Sequence, residues 1–242
     1  MKKTALVTGA SRGIGKAISR ALAKEGYDLV LICQKNLSLL DESAKEYEKD
    51  YGTKSYCFCG DISQFSFLEQ VQKSLAEKNV FPRVIINNAA ISYVGLLNDM
   101  TPEEWQNLIS VNLSSLFYTA KLFTPDMIRN KEGHIVNITS MWGQRGASCE
   151  VAYSASKGGV DAFTKALAKE LAPSNIYVNA ISCGVVNTDM MNVFTDEDKK
   201  ELAEEIPFGR FCEPEEVALA VTNLLKNTYM TGQIIGLDGG YF

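Results

Sequence analysis

The chain is short of the residues that mark several kinds of protein. Among 242 residues, histidine occurs once, tryptophan twice and proline six times. The single His134 leaves a zinc site without its usual nitrogen ligands. Six cysteines are present, Cys33, Cys57, Cys59, Cys149, Cys183 and Cys212. Cys57 and Cys59 are two apart, but a zinc site wants a second pair, so no metal is expected and all six read as free thiols. Positive charge is not in excess: Lys+Arg is 24 against Asp+Glu 29, a net charge of −5. Nucleic acids and anionic membranes both require a basic footprint, so neither is expected as a partner. No apolar run reaches the ~18–20 residues of a membrane span. The first apolar stretch, residues 4–7, is interrupted by Gly9, Ser11 and Arg12 too early for a signal peptide. A cytoplasmic setting is the expectation.

What is present is ordinary for a globular protein with a full core: 46% hydrophobic and 22% charged residues. Short apolar runs alternate with long amphipathic stretches. Strands are expected at 4–8, 29–33, 54–58, 83–87, 134–140, 176–181 and 233–237. Helices are expected at 13–25, 37–51, 63–78, 102–129, 150–171, 195–205 and 214–227. Near-continuous apolar strands separated by helices imply a parallel sheet covered on both faces. No linker or low-complexity tract divides the chain. The reading is α/β: one doubly wound Rossmann domain over 1–242, with a mostly seven-stranded parallel sheet and helices on both faces.

Between the first strand and first helix lies Thr8-Gly9-Ala10-Ser11-Arg12-Gly13-Ile14-Gly15. Glycines here permit a tight turn and a close approach of backbone to a pyrophosphate. The N-terminus of the next helix offers unpaired N–H groups to that anion. A tight strand–helix connection alone would look similar; the repeating βα pattern behind it favours nucleotide binding. The end of the second strand, Cys33-Gln34-Lys35-Asn36, carries no carboxylate to hold ribose hydroxyls. Arg12 and Lys35 are either solvated surface charges or the partners of a 2′-phosphate. The missing carboxylate favours the second reading, and hence NADPH.

Tyr153-Ser154-Ala155-Ser156-Lys157 opens a helix, with Tyr and Lys on one face a turn apart. A free tyrosine, with a pKa of ~10, is a poor acid–base group at neutral pH. A cation one turn away is expected to lower that value and make Tyr153 a general acid. Ser140 closes the fifth strand, where open α/β sheets place ligands. It can hold a carbonyl oxygen, or simply cap the strand. Asn112 sits within an expected helix, where Asn is unfavourable without polar work; a water bridge to Lys157 is one such role. Asn88 and Ala89 follow the fourth strand and are placed to pack beside a cofactor.

In this order, the motifs resemble the short-chain dehydrogenase/reductase family over essentially the whole chain. The resemblance rests on the glycine loop, Asp61, Asn87-Asn88-Ala89, Asn112, Ser140, Tyr153/Lys157, Gly184, Thr188 and Gly239-Gly240. It implies that Tyr153 donates a proton, Ser140 orients the carbonyl, Lys157 binds the nicotinamide ribose, and Asn112 holds a relay water. It further implies that Asp61 contacts adenine with Ile62 beside it. Gly184, Val186 and Thr188 meet the nicotinamide end. Ala90 and Cys183 depart from the family's usual Gly and Pro, which concerns cofactor geometry rather than chemistry.

Substrate contacts are expected from Ser140, Trp142, Tyr153 and Met190, under a lid at about 187–211. Trp142 reads equally well as plain core. Among subfamilies the nearest resemblance is to 3-oxoacyl-[acyl-carrier-protein] reductases, which implies a ketone substrate, fatty acid synthesis and an acidic carrier protein as possible partner. Arg129, Lys131 and Arg145 are candidates to meet that carrier, although Pro173-Ser174-Asn175 lacks a basic residue that carrier-binding relatives tend to have. The stretch 141–151 instead resembles reductases of a 5-aminopentanone group on elongation factor P, where Glu150 would pair with an amine. A sugar or alcohol dehydrogenase, and a catalytically silent NADP-binding regulator, are the other readings. The family resemblance implies a homotetramer.

Overall fold

The computed structural model describes residues 3–241. Seven parallel strands form one sheet in the order β3-β2-β1-β4-β5-β6-β7. They are β1 (Thr4–Thr8), β2 (Asp28–Cys33), β3 (Ser55–Cys59), β4 (Val84–Asn87), β5 (Gly133–Ser140), β6 (Ile176–Cys183) and β7 (Ile234–Leu237). The order reverses at β1, which has β2 on one side and β4 on the other. That switch point is where open α/β sheets bind ligands, beyond the carboxyl ends of the strands.

Helices α1 (Gly13–Lys24), α2 (Leu37–Tyr51), α3 (Phe65–Glu77), α4 (Pro102–Ile109) and α5 (Ser115–Asn130) connect the first five strands. The short α6 (Trp142–Arg145) and long α7 (Val151–Leu171) follow β5, and α8 (Asp196–Glu205) and α9 (Pro214–Leu225) follow β6. Alternation along each strand sends side chains to opposite faces. On β2, Leu29, Leu31 and Cys33 join Ile18 and Leu22 of α1 in one core. Val30 and Ile32 join Leu68, Val71, Phe123 and Met127 in the other. Each fully buried Leu or Ile stabilises the fold by roughly 1.5–3 kcal/mol, and both faces carry many. No helix among the described residues is long and apolar enough to cross a membrane.

The expected helix at 102–129 is not continuous. Thr101 and Glu104 form a reciprocal capping box ahead of Pro102, so its start is as expected. The chain then passes through a π-helical turn, Ser110–Ser114, before α5 begins. Asn112 lies inside that turn and is the reason it matters for the site.

Candidate active site

Three segments meet at the carboxyl ends of β1 and β4. Gly9 and Gly13 both adopt left-handed backbone, with φ of 66° and 52°. A Cβ on Gly15 would stand 2.2 Å from the Gly9 carbonyl oxygen, and one on Gly9 would stand 2.8 Å from Asn88 Nδ2. The glycines therefore let α1 and the Asn88 amide close tightly on the loop. Asn88 Nδ2 donates to the Thr8 and Gly9 carbonyls at 2.9 and 3.2 Å. Thr8 Oγ1 accepts from the N–H groups of Asn88 and Ala89. Asn88 and Ala89 thus belong to the loop's frame.

The first turn of α1 contains no acidic residue and receives no side-chain cap. Its unpaired N–H groups fit the pyrophosphate of a dinucleotide. Ser11 is buried, Ile14 is half-buried, and the exposed Arg12 sits at the N-cap. Arg12 does not stand free for a phosphate: its guanidinium lies 3.3 Å from an Asp189 carboxylate oxygen. Both groups are well exposed, so this ion pair is weak and exchangeable. Lys35 is exposed just past β2. Asp61 follows β3 and accepts from the Ser63 N–H at 2.9 Å, and Ile62 is buried beside it.

Ser140, Tyr153 and Lys157 come together from β5 and α7. Ser140 ends β5, and its hydroxyl faces the Tyr153 phenol, whose pKa it draws down. It also accepts from the Trp142 N–H at 3.2 Å. The Lys157 ammonium lies 5.6 Å from the centre of the Tyr153 ring and donates to the Ile138 carbonyl at 2.8 Å. Lys157 is buried, 3% exposed. Burial pushes its pKa down to about 8. The Tyr153 pKa is not lowered, contrary to the expectation from Lys157. Burial, reinforced by the nearby Glu150 carboxylate and the Cys183 thiol, raises it above the ordinary value, and only Ser140 works the other way. Desolvation of the phenolate decides the direction. Tyr153 therefore keeps its proton at neutral pH, as the expected role of proton donor requires.

Asn112 has its side chain bonded to protein groups. Oδ1 accepts from the Ile91 N–H at 2.9 Å, and Nδ2 donates to the Ile91 carbonyl at 2.8 Å and to Ser156 Oγ at 3.1 Å. The π turn swings Asn112 into position to clamp the segment following β4 against α7. A strict α-helix pattern could not have signalled that geometry.

The segment after β6 closes the other side. A Cβ on Gly184 would stand 2.7 Å from the Asp238 Cα, so only a glycine lets the chain ahead of Gly239 and Gly240 pack this closely. Val186 is buried and bridges to Cys212, and Thr188 leads into the turn Asp189–Val193 beside Gly13. Cys183 is buried with its thiol pushed up to about 12 by desolvation, so it stays neutral. Met190 is 46% exposed. Trp142 is neither core nor free: its ring meets the Tyr241 ring edge-on at 6.2 Å. Tyr241 in turn donates to Glu205 at the end of α8. The C-terminal tail thereby joins the Trp142 side of the site to the expected lid, a link with no motif to announce it. A cavity of about 340 Å³ lies elsewhere, among Lys3, Tyr27 and Lys226 below the amino ends of the strands. The polar chemistry, rather than the size of the hollow, locates the site.

A family model described as short chain dehydrogenase matches residues 3–199. The chain is a short-chain dehydrogenase. Its family makes it an oxidoreductase that works with a nicotinamide cofactor, and the glycine cradle and bare α1 turn fit that group. This dehydrogenase is 42% identical to an uncharacterized oxidoreductase, YmfI, of Bacillus subtilis, over 100% of this chain and 99% of that protein. It is 38% identical to the 3-oxoacyl-[acyl-carrier-protein] reductase FabG of Chlamydia muridarum, over 99% and 97% of the two chains. Among solved structures it superposes on YwfH, described as an NADPH-dependent reductase involved in bacilysin biosynthesis. The TM-score is 0.94 at 25% identity, covering 100% of this chain and 99% of the other.

Proposed function

We propose that this dehydrogenase reduces a ketone to a secondary alcohol with NADPH. The observation that carries the reading is the Ser140–Tyr153–Lys157 arrangement, in which a protonated phenol stands beside a serine hydroxyl and a buried ammonium. Ser140 and Tyr153 both offer O–H groups to a carbonyl oxygen. When bound, the nicotinamide supplies hydride to the carbonyl carbon. As charge builds on the oxygen, the Tyr153 O–H bond breaks and its proton passes to that oxygen. The phenolate left behind is stabilised by Lys157, and a proton from solvent restores it. Arg12 and Lys35 support NADPH over NADH, because neither the loop nor the end of β2 offers a carboxylate to the ribose. On this reading Arg12 exchanges Asp189 for the 2′-phosphate.

For the substrate, the relatives named 3-oxoacyl-[acyl-carrier-protein] reductase support a 3-oxoacyl thioester on an acidic carrier, within fatty acid synthesis. One observation favours a second reading, a 5-aminopentanone group on elongation factor P. Glu150 occupies the N-cap of α7 but its carboxylate makes no capping bond. It is half-buried, and burial alone raises its pKa, with no cation to offset it. A substrate ammonium would complete that carboxylate, whereas an acyl thioester brings no cation. A panel containing an acetoacetyl thioester and an amino-ketone, each with NADPH and NADH, tests both levels. Turnover with thioester alone supports the carrier reading, and turnover with the amino-ketone alone supports the second. NADPH binding without any turnover contradicts ketone reduction altogether. The working assembly in this proposal is a homotetramer in the cytoplasm.

A further inference from the structure

Behind Lys157, the reaction scheme above leaves one charged group unused. Asp161 lies one helical turn further along α7, on the same face as Lys157. It is 6% exposed, and its Oδ1 has no hydrogen-bond partner among the described residues. Burying a carboxylate oxygen without a partner is costly, so a well-packed fold ordinarily avoids it. A carboxylate kept there can act on its surroundings through its charge. The nearest buried cation is Lys157, and no direct ion pair joins the two, so the influence runs through the protein interior, where screening is weak.

The surroundings of Asp161 are specific. From α7 itself it faces Lys157 and the exposed Lys165. From β5 it faces the Thr139 hydroxyl and from α6 the Gln144 amide. Cys183 of β6 also faces Lys157. Thr139 directly precedes Ser140, and its hydroxyl donates to the Lys157 carbonyl at 3.2 Å. Backbone packs on backbone at the same level: a Cβ on Gly143 would stand 2.7 Å from the Lys157 carbonyl carbon. Asp161 thus sits under the point where β5, α6 and the catalytic turn of α7 converge.

We propose that Asp161 is a positioning residue whose buried negative charge keeps Lys157 an ammonium across the working pH range. The inference rests on the Tyr153–Lys157 reading and extends it to a group that touches neither substrate nor cofactor. The signs fit: burial lowers the Lys157 pKa, and Cys183 and then Asp161 raise it. Asp161 carries a raised pKa of its own, also from burial.

The test is Asp161→Asn, which removes the charge and keeps the shape, alongside Asp161→Glu, which keeps the charge. Two profiles are followed against pH: kcat with a ketone, and the equilibrium affinity for NADPH without substrate, read by its fluorescence. The expected result is that Asp161→Asn moves the alkaline limb of both profiles down by about one pH unit, while Asp161→Glu returns it most of the way. A uniform loss at every pH, with both limbs in place, would mean a purely structural role and overturn the proposal. So would limbs that fail to move. If Asp161→Asn proves unstable, Asp161→Glu compared with Asp161→Ser gives the same contrast. The binding profile needs no turnover, so it stands even if the ketone chemistry at Tyr153 is refuted.

Discussion

At the scale of single residues, the site is defined by what its neighbours leave no room for and by what they leave uncharged. Gly15 illustrates the first. With 2.2 Å between its missing Cβ and the Gly9 carbonyl oxygen, Gly15→Ala must displace the loop or the start of α1. The expected outcome is a loss of NADPH affinity of at least ~10-fold, because the anion-binding N–H groups lose their alignment; fluorescence titration measures it. Arg12→Ala acts on charge alone. Its NADPH affinity should fall while NADH affinity holds, and parallel titrations with the two cofactors give the ratio. An unchanged ratio would leave Arg12 as a surface partner of Asp189. The Tyr153–Lys157 motif was legible in the sequence, but the sign of the tyrosine shift was not. Spacing reports the lysine one turn away; it does not report how much water the fold removes from the phenol.

At the scale of elements, periodicity read the strands and most helices well. Expected α2 coincides with Leu37–Tyr51, and β1 with Thr4–Thr8. Two features escaped for physical reasons. The π turn at Ser110–Ser114 adds a residue to one helical turn without altering composition, so a 3.6-residue pattern passes over it. The short α6 is a single turn, and its anchorage lies in Gly143, whose absent side chain lets it rest on Lys157 and Gly158. Gly143→Ala must lift α6 and Trp142 away from α7. Its expected signature is a rise in KM for the ketone that exceeds any loss of NADPH affinity, since the displaced α6 carries Trp142. Equal losses of both would instead point to general disruption of the site.

At the scale of the whole molecule, burial of a charge at the site affects stability, and the exposed apolar surface bears on assembly. The Lys157 pKa falls from 10.5 to about 8 on folding. The unfolded chain therefore binds more protons than the native one between those values, and the Lys157 contribution to stability rises as pH climbs through that window. Denaturant titrations at the two ends of the window should show wild type gaining on Lys157→Met with rising pH. A constant gap would mean that Lys157 is not desolvated. Phe117, Ile128 and Val151 are large exposed apolar residues on α5 and α7, at 51%, 42% and 44% exposure. The proposed tetramer would cover such a face, so Phe117→Glu should shift the mass measured by light scattering toward smaller species.

One measurement bears on all three scales, because it asks whether the assembled site moves a proton: NADPH oxidation with a competent ketone, compared between wild type and Tyr153→Phe at matched NADPH occupancy. Removal of a general acid predicts a fall in turnover of at least ~10²-fold with NADPH affinity retained. Turnover by Tyr153→Phe equal to that of wild type would contradict the account.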